Sequence, residues 1–210
     1  LNKLANIKVL LVGVGGVGGF ALESLIRSGI VNITIVDGDV FEDSNLNRQI
    51  ISNQENIGKN KAEEAKKRCL LINPKVKISA INNYITKDNL DSIGSFDYII
   101  DACDDVNAKI ELIKYSFKTN TKIICSMGTG KRLNPSLVQI SRLDKTYNDP
   151  LAKIMRNKLK KEGISLKIPV VFSTELPLNS DNIISSNILV PGVAGINLAF
   201  YIINDCLKNS

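Results

Sequence analysis

The stretch Lys8-Val9-Leu10-Leu11-Val12-Gly13-Val14-Gly15-Gly16-Val17-Gly18 decides the fold of this chain. After its leading lysine comes an unbroken apolar run, which is typical of a strand buried on both faces of a parallel sheet. The glycines then match Gly-x-Gly-x-x-Gly, ahead of a helix predicted over residues 20–28 and ended by Gly29. Glycines in this place let phosphate groups approach backbone N–H groups at the amino end of a helix, where partial positive charge gathers.

Strand and helix patterns alternate over the first 125 residues. Strands are predicted at 33–36, 76–81, 98–100 and 122–125, and helices at 59–71 and 108–117. This alternation favours an α/β, Rossmann-like doubly wound, mostly parallel sheet.

The second half has a mixed α/β pattern. It predicts strands at 137–143 and 170–173, a basic helix at 149–162, a polar mobile loop at 176–186 and an apolar helix at 192–207. No linker interrupts the chain. We therefore expect a single domain over 1–210, with a nucleotide-binding half at 1–125 and a substrate and dimer half at 126–210.

Composition excludes several classes of protein. The chain has 210 residues, 44% hydrophobic and 23% charged, which suits a soluble globular domain with its own core. No apolar run approaches 18 residues and no cleavage site follows the run at 7–12, so we expect no membrane span, no leader and a cytoplasmic location. The net charge of +6 suits an anionic partner such as ATP or RNA without being specific for one.

The cysteines argue against zinc. Cys69, Cys103, Cys125 and Cys206 form no Cys-x-x-Cys pair, and the chain has no histidine, so a zinc site has almost no ligands. Cys103 and Cys125 lie on or beside predicted strands, and we expect both to be core residues.

The glycine loop by itself leaves the function open. Asp37 ends the second strand, where a carboxylate can accept hydrogen bonds from ribose hydroxyls. A nicotinamide-dependent oxidoreductase satisfies these features equally well, and a glycine turn without any ligand is a further alternative.

Three charged residues favour ATP over a nicotinamide. Arg48, Lys61 and Asp104 are each expected near the crevice where the carboxyl ends of the strands converge. Adenylation expels pyrophosphate from the α-phosphate, and the resulting charge can be stabilised by an arginine, a lysine and a Mg²⁺ ion on a carboxylate. Taken singly, Lys61 could be a solvated helix residue, Arg48 a surface ion-pair partner and Asp104 a helix N-cap. Taken together they predict an adenylating site.

The same residues resemble a known family. The glycine loop, Asp37, the segment Ser44-Asn45-Leu46-Asn47-Arg48-Gln49, Lys61 and the segment Asp101-Ala102-Cys103-Asp104-Asp105 are similar to the ThiF/MoeB/HesA-type adenylating enzymes, relatives of the ubiquitin-activating enzymes. The resemblance implies that ATP is bound by Gly13, Gly15, Gly16, Gly18, Asp37, Asp39, Asn45, Asn47, Arg48, Gln49, Lys61, Asp104 and Asp105. It also implies that Asn45 and Arg48 face the phosphates, that Arg48, Lys61 and Asp104 are catalytic, and that Asp104 holds Mg²⁺.

The second half resembles one branch of that family, the tRNA threonylcarbamoyladenosine dehydratases. The similar segments are Ser126-Met127-Gly128-Thr129-Gly130-Lys131-Arg132-Leu133-Asn134-Pro135, Asp149-Pro150-Leu151-Ala152-Lys153 with Arg156, and Val171-Phe172-Ser173-Thr174-Glu175. This implies ATP-dependent dehydration of N6-threonylcarbamoyladenosine in tRNA, through adenylation of the threonyl carboxylate and ring closure by the substrate's own nucleophile. It also implies tRNA as partner, a sulfur-relay protein as candidate partner, and a homodimer.

Basic residues of the second half are candidates for tRNA contact. We expect Lys131, Arg132, Lys153 and Arg156 to contact tRNA. For the basic cluster between 145 and 161, which contains Lys153 and Arg156, a solvated helix face is the equal alternative. Relatives carry an amino-terminal helical segment before the first strand, and a chain that begins with leucine is typical of a trimmed amino end.

Two other functions stay open. One is adenylation of the C-terminal carboxylate of a ubiquitin-like sulfur carrier, although the zinc cysteines and a thioester cysteine are missing. The other is a nucleotide-binding scaffold without catalysis.

Overall fold

The chain is built around one mixed sheet, in a computed structural model that describes residues 3–178 and 187–208. The strands are β1 (Lys8–Val12), β2 (Asn32–Val36), β3 (Lys77–Ile81), β4 (Tyr98–Asp101), β5 (Lys122–Ser126), β6 (Val138–Arg142) and β7 (Pro169–Ser173). The α-helices are α1 (Gly18–Arg27), α2 (Lys61–Ile72), α3 (Val106–Thr119), α4 (Pro150–Lys161) and α5 (Leu189–Lys208).

The order of strands is that of a doubly wound sheet. It runs β3-β2-β1-β4-β5-β7-β6, and only β6 runs antiparallel to its neighbour. The prediction of a Rossmann-like, mostly parallel sheet is confirmed. The chain reverses its direction of winding between β1 and β4, so ligands are expected beyond the carboxyl ends of these strands.

Alternate residues of the buried strands face two different cores. Val9 and Leu11 pack with α1, α2 and α5, whereas Leu10 and Val12 pack with α3 and α4. This is why the strand lacks the polar alternation of a half-exposed sheet.

The predicted boundaries lie within two or three residues of the observed ones. Helix α1 begins at Gly18 rather than at residue 20, so Gly18 and Gly19 belong to its first turn. Helix α3 begins at Val106, and its N-cap is Asp105, whose carboxylate accepts from the Ala108 N–H at 2.6 Å. The alternative that Asp104 is the N-cap is therefore wrong, because the cap is the next residue, Asp105. Of the loop predicted at 176–186, residues 179–186 lie outside the described part of the chain.

Helix α5 packs against α1 and the sheet. By length and composition alone it is long and apolar enough to cross a membrane, contrary to the expectation of no such segment. Its buried face belongs to the core, however, as in the central helix of a soluble domain. The contact with α1 is close, since a Cβ on Gly195 would overlap the Val17 carbonyl oxygen and lie 2.8 Å from the Phe20 Cβ.

The close contact predicts a sharp difference between two glycines of α5. We expect Gly195→Ala to destabilise the protein by about 1–3 kcal/mol, because backbone atoms of α1 cannot yield as a side chain can. Gly192→Ala is the matched control, since its new Cβ would meet only the edge of the Phe20 ring at 3.3 Å. Both changes gain similar helix propensity. Urea unfolding measures the difference, and equal midpoints would contradict the packing described.

Candidate functional site

A cavity of about 650 Å³ opens at the carboxyl ends of β1, β2 and β4. Its wall contains most of the residues predicted for nucleotide binding: Gly13, Gly15, Gly16, Asp37, Asp39, Arg48, Gln49, Lys61, Asp104 and Asp105. The wall also contains Ser126, Met127, Gly128, Thr129 and Leu151, which belong to the segments of the second half quoted above. Other wall residues were not singled out from the sequence, among them Asn83, Tyr84, Ile85 and Pro191. Asp37 and Asp104 are predicted because the carboxyl ends of parallel strands converge on the ligand crevice. The same rule could have identified Tyr84, which follows the carboxyl end of β3. No local signal points to Pro191.

Two glycines of the loop, Gly13 and Gly18, have no room for a side chain. Gly13 has a φ of +85°, and a Cβ there would lie 2.8 Å from the Ala102 carbonyl oxygen. A Cβ on Gly18 would overlap the carbonyl oxygen of Gly13. Gly18 therefore closes α1 onto the strand end, rather than lining the cavity. The resulting cradle of backbone at the amino end of α1 fits an anionic phosphate.

The Asp37 carboxylate completes the cradle. It accepts hydrogen bonds from the Val14 N–H at 2.8 Å and the Asp39 N–H at 2.9 Å. Burial raises the pKa of Asp37, against the lowering effect of these N–H groups. The glycine loop and the end of β2 are thereby joined at the cavity wall.

Lys61 is buried at the cavity wall. Its side chain is 8% exposed, and Nζ lies 3.0 Å from Oδ2 of Asp39. The other oxygen of Asp39 accepts from the Tyr84 hydroxyl at 2.7 Å. Partial burial raises the pKa of Asp39, but the hydrogen bonds from Tyr84 and Lys61 outweigh it and lower the pKa. The alternative of a solvated helix lysine is therefore wrong, because the first turn of α2 turns Lys61 inward.

Arg48 lies at the cavity wall beside the glycine loop. One guanidinium nitrogen donates to the Ser44 carbonyl at 2.6 Å and to the Asn47 amide oxygen at 3.0 Å. A Cβ on Gly16 would lie 3.5 Å from the Cγ of Arg48, so the arginine and the glycine loop face each other closely. An anion in the cavity would have backbone N–H groups of the loop and the Arg48 cation in the same part of the wall.

Gln49 lines the same cavity and offers a hydrogen-bond acceptor to a polar ligand. The Gln49 side chain is buried beside Gly15, and its amide oxygen accepts no hydrogen bond from the residues that the structure describes. Buried amide oxygens are rarely left without a donor. A ligand with hydroxyl or amino groups would supply one.

Two predicted residues shape the loop rather than the cavity wall. Asn45 is buried, accepts from the Glu42 N–H at 3.2 Å and forms a capping box with that residue. Asn47 is exposed and holds Arg48. Asn45 is not among the residues that line the cavity, and its contact with phosphates stays a prediction. Asp105 lines the cavity, but its carboxylate caps α3.

Cys103 differs from the prediction of a core residue. It lies partly exposed at the cavity wall, whereas Cys125 is fully buried as expected. The Cys103 thiol contacts Oδ1 of Asp101 at 3.1 Å, and burial raises its pKa well above the usual value. A thiol held protonated in this way is a poor nucleophile.

A second cavity, of about 530 Å³, adjoins the first. The two share Arg48, Gly128, Thr129, Gly130 and Leu151, and the second continues to Lys131, Arg132, Pro150 and Pro177. Arg48 therefore lies at the junction of the two spaces.

Arg132 points into the protein, not towards solvent. It is 1% exposed, and its guanidinium donates to the carbonyl oxygens of Gly128, Asn148 and Glu175. Asp149 lies 3.5 Å away and also accepts from the N–H groups of Gly128 and Ala152. The acceptors of Arg132 among the described residues are internal and tie the loop after β5 to the start of α4, so these contacts are structural. Its contact with tRNA stays a prediction, since the residue also borders the second cavity.

This arrangement predicts that Arg132 serves stability. Arg132→Leu leaves Asp149 buried without its cation, and we expect a loss of about 3–5 kcal/mol in the free energy of unfolding. The exposed Lys160 of α4 is the control, since Lys160→Leu should change stability by less than about 0.5 kcal/mol. Urea denaturation tests both. An Arg132 variant with unchanged stability but weaker tRNA binding would favour the contact role instead.

Comparisons with known proteins agree with this geometry. The ThiF family pattern matches residues 1–194. The tRNA threonylcarbamoyladenosine dehydratase of Bacillus subtilis is 36% identical over 229 residues, covering 100% of this chain and 90% of that protein. The crystal structure of E. coli tRNA N6-threonylcarbamoyladenosine dehydratase in complex with AMP gives a TM-score of 0.93 at 31% identity, covering 99% of this chain and 89% of that one. Its complex with ATP gives a TM-score of 0.92, with 99% and 90% covered. The chain therefore belongs to the ThiF family.

Proposed function

We propose that this protein dehydrates N6-threonylcarbamoyladenosine in tRNA to its cyclic form, using ATP to adenylate the threonyl carboxylate. The observation that carries the proposal is the juxtaposition of the glycine cradle with Arg48 and Lys61 in a chain similar over its whole length to such dehydratases. Neither a hydride-transfer enzyme nor a passive glycine turn needs two cations at this point.

The nucleotide would lie in the first cavity. The N–H groups of the glycine loop would bind phosphate oxygens, and Asp37 would accept from the ribose hydroxyls. The Gln49 amide oxygen would receive a donor that the described residues do not supply. ATP and AMP complexes of the E. coli relative support this placement.

The proposed reaction has two steps. An oxygen of the threonyl carboxylate attacks the α-phosphorus of ATP, and pyrophosphate leaves. The substrate's own nucleophile then attacks the activated carbonyl carbon, closes the ring and releases AMP, which carries away the oxygen formally lost as water. Arg48 and Lys61 would stabilise the charge that develops on the phosphoryl oxygens, and both are already held in place by Ser44 and Asp39.

A Mg²⁺ ion would be held by Asp104 and would neutralise phosphate charge. Among residues 3–178 and 187–208, no group of three or more Cys, Asp or Glu side chains converges as a metal cage requires. Magnesium commonly takes most of its ligands from substrate phosphates and water, so one carboxylate at the cavity wall suits this ion.

The second cavity would receive the modified adenosine. It adjoins the first at Arg48, where the carboxylate would meet the α-phosphate. Ring closure within the substrate needs no protein thiol, in agreement with the protonated Cys103. We assign residues 1–125 to nucleotide binding and 126–210 to substrate and dimer contacts.

The alternative of a ubiquitin-like sulfur carrier as substrate would make a sulfur-relay protein the partner. The chain lacks the paired Cys-x-x-Cys of many adenylyltransferases for such carriers. Pyrophosphate exchange that depends on a carrier protein with a Gly-Gly tail would favour this alternative.

Assembly as a homodimer in the cytoplasm forms part of the proposal. Ile196 and Phe200 of α5 are about half exposed. Large apolar side chains four residues apart on a helix form a continuous stripe that a second copy could cover.

The central prediction concerns Arg48 and Lys61. We expect Arg48→Ala and Lys61→Met to lower turnover by about 10²–10³-fold, because each removes a donor to the transition state. Lys59→Met is the control, since Lys59 is exposed two residues before Lys61. The assay is mass spectrometry of tRNA nucleosides after incubation with and without ATP. Absence of an ATP-dependent loss of water from the parent reaction would refute the proposed function.

The basic face of α4 predicts how tRNA binding responds to salt. Lys153 is exposed and Arg156 lies partly exposed beside Thr146. Lys153→Ala should weaken tRNA binding and reduce the salt slope by about 1, if this residue contacts a phosphate. Lys77→Ala, at the amino end of β3 and away from the cavity, should leave the slope unchanged. Equal slopes for both variants would place the tRNA elsewhere.

A further inference from the structure

A fully buried ion pair lies beneath the nucleotide cavity and has no role in the chemistry described above. Lys109 of α3 and Asp101 of β4 both have 0% exposed side chains, with 3.0 Å between Nζ and Oδ2. Burial lowers the pKa of Lys109, but the neighbouring Asp101 carboxylate outweighs it and holds the pKa above its usual range. Two apolar side chains could fill this space without desolvating charge, so the position of the pair points to a role beyond stability.

The pair lies where the hydrogen-bond ladder of the sheet divides. The pairing of β4 with β5 ends at Asp101, opposite Cys125. Beyond this point the two strands no longer pair, since the Cys103 N–H donates to the Asp101 carboxylate at 3.3 Å and the Gly128 N–H donates to the Asp149 carboxylate at 3.0 Å. Lys109 spans the division, because its ammonium also donates to the Ser126 carbonyl oxygen at 2.7 Å.

The two loops that follow these strand ends both line the cavity. Residues 102–105 follow β4 and carry Asp104, and residues 127–130 follow β5 and reach both cavities. The end of β4 is held further by the Cys103 thiol, which contacts the second oxygen of Asp101 at 3.1 Å. The spacing between the loops therefore depends on one ammonium and its two acceptors.

We propose that Lys109 is a positioning residue for adenylation, which sets the distance between the loop that carries Asp104 and the loop at 127–130. This inference rests on the proposed function. The ammonium suits the place chemically, since it has three donors and meets acceptors on both strand ends. Asparagine and methionine in place of the pair would fill similar space without the bridge.

The test compares the double variant Asp101→Asn/Lys109→Met with the parent. The double change avoids the unpaired buried charge that Lys109→Met alone would leave. Lys114→Met is the matched control, since Lys114 lies on the same helix and forms its ion pairs with Glu111 and Glu162 near the surface. We expect hydrogen exchange to accelerate by on the order of tenfold at 102–105 and 127–130 alone. We also expect kcat to fall roughly 10- to 100-fold, with a KM for ATP within about threefold of the parent value.

Two results would overturn the inference. One is an unchanged kcat with unchanged exchange in both loops. The other is exchange that rises evenly along the chain, with activity lost only in proportion to the unfolded fraction. If the parent itself binds ATP but modifies no tRNA, the proposed function fails separately, and the exchange pattern alone decides whether Lys109 fixes the two loops.

Discussion

The close approach between Gly13 and Gly18 is the constraint on which the rest of the structure depends. With no Cβ on Gly18, α1 begins directly against the Gly13 carbonyl, and with no Cβ on Gly13, the same turn rests on Ala102 at the end of β4. The amino end of α1 is thereby fixed over the point where the sheet changes its direction of winding. Helix α5 then packs on α1 through Gly195, so a second layer of the fold depends on the same short distances.

Buried charge, rather than the sheet, organises the loops around the cavity. Lys61 with Asp39, Lys109 with Asp101, and Arg132 with Asp149 each join segments distant in sequence. Loops cannot use the regular ladder, so their backbone acceptors need other donors. Lysine and arginine supply several donors from one side chain, which suits loop junctions where a carbonyl and a carboxylate meet.

The cysteines take no part in the proposed chemistry. Cys103 reaches the cavity wall, yet burial and the nearby Asp101 keep its thiol protonated. An enzyme that transfers an activated acyl group to its own thiol would need the opposite electrostatics. A substrate that closes its own ring makes that intermediate unnecessary, and the site is consistent with such a substrate.

The sequence by itself determined the sheet, the order of its elements and the composition of much of the cavity. Apolar runs, glycine positions and the rule that strand ends converge are local signals, and they placed Asp37, Arg48, Lys61 and Asp104 at one cavity. Only the tertiary structure decided which way individual side chains point. Lys61 and Arg132 resemble surface residues in sequence, yet both are buried, because their acceptors lie at Asp39, Asn148 and Glu175. Tyr84 and Pro191 also line the cavity because the tertiary structure brings them there. Such partners are 16 to 45 residues distant in sequence, so no local pattern records them.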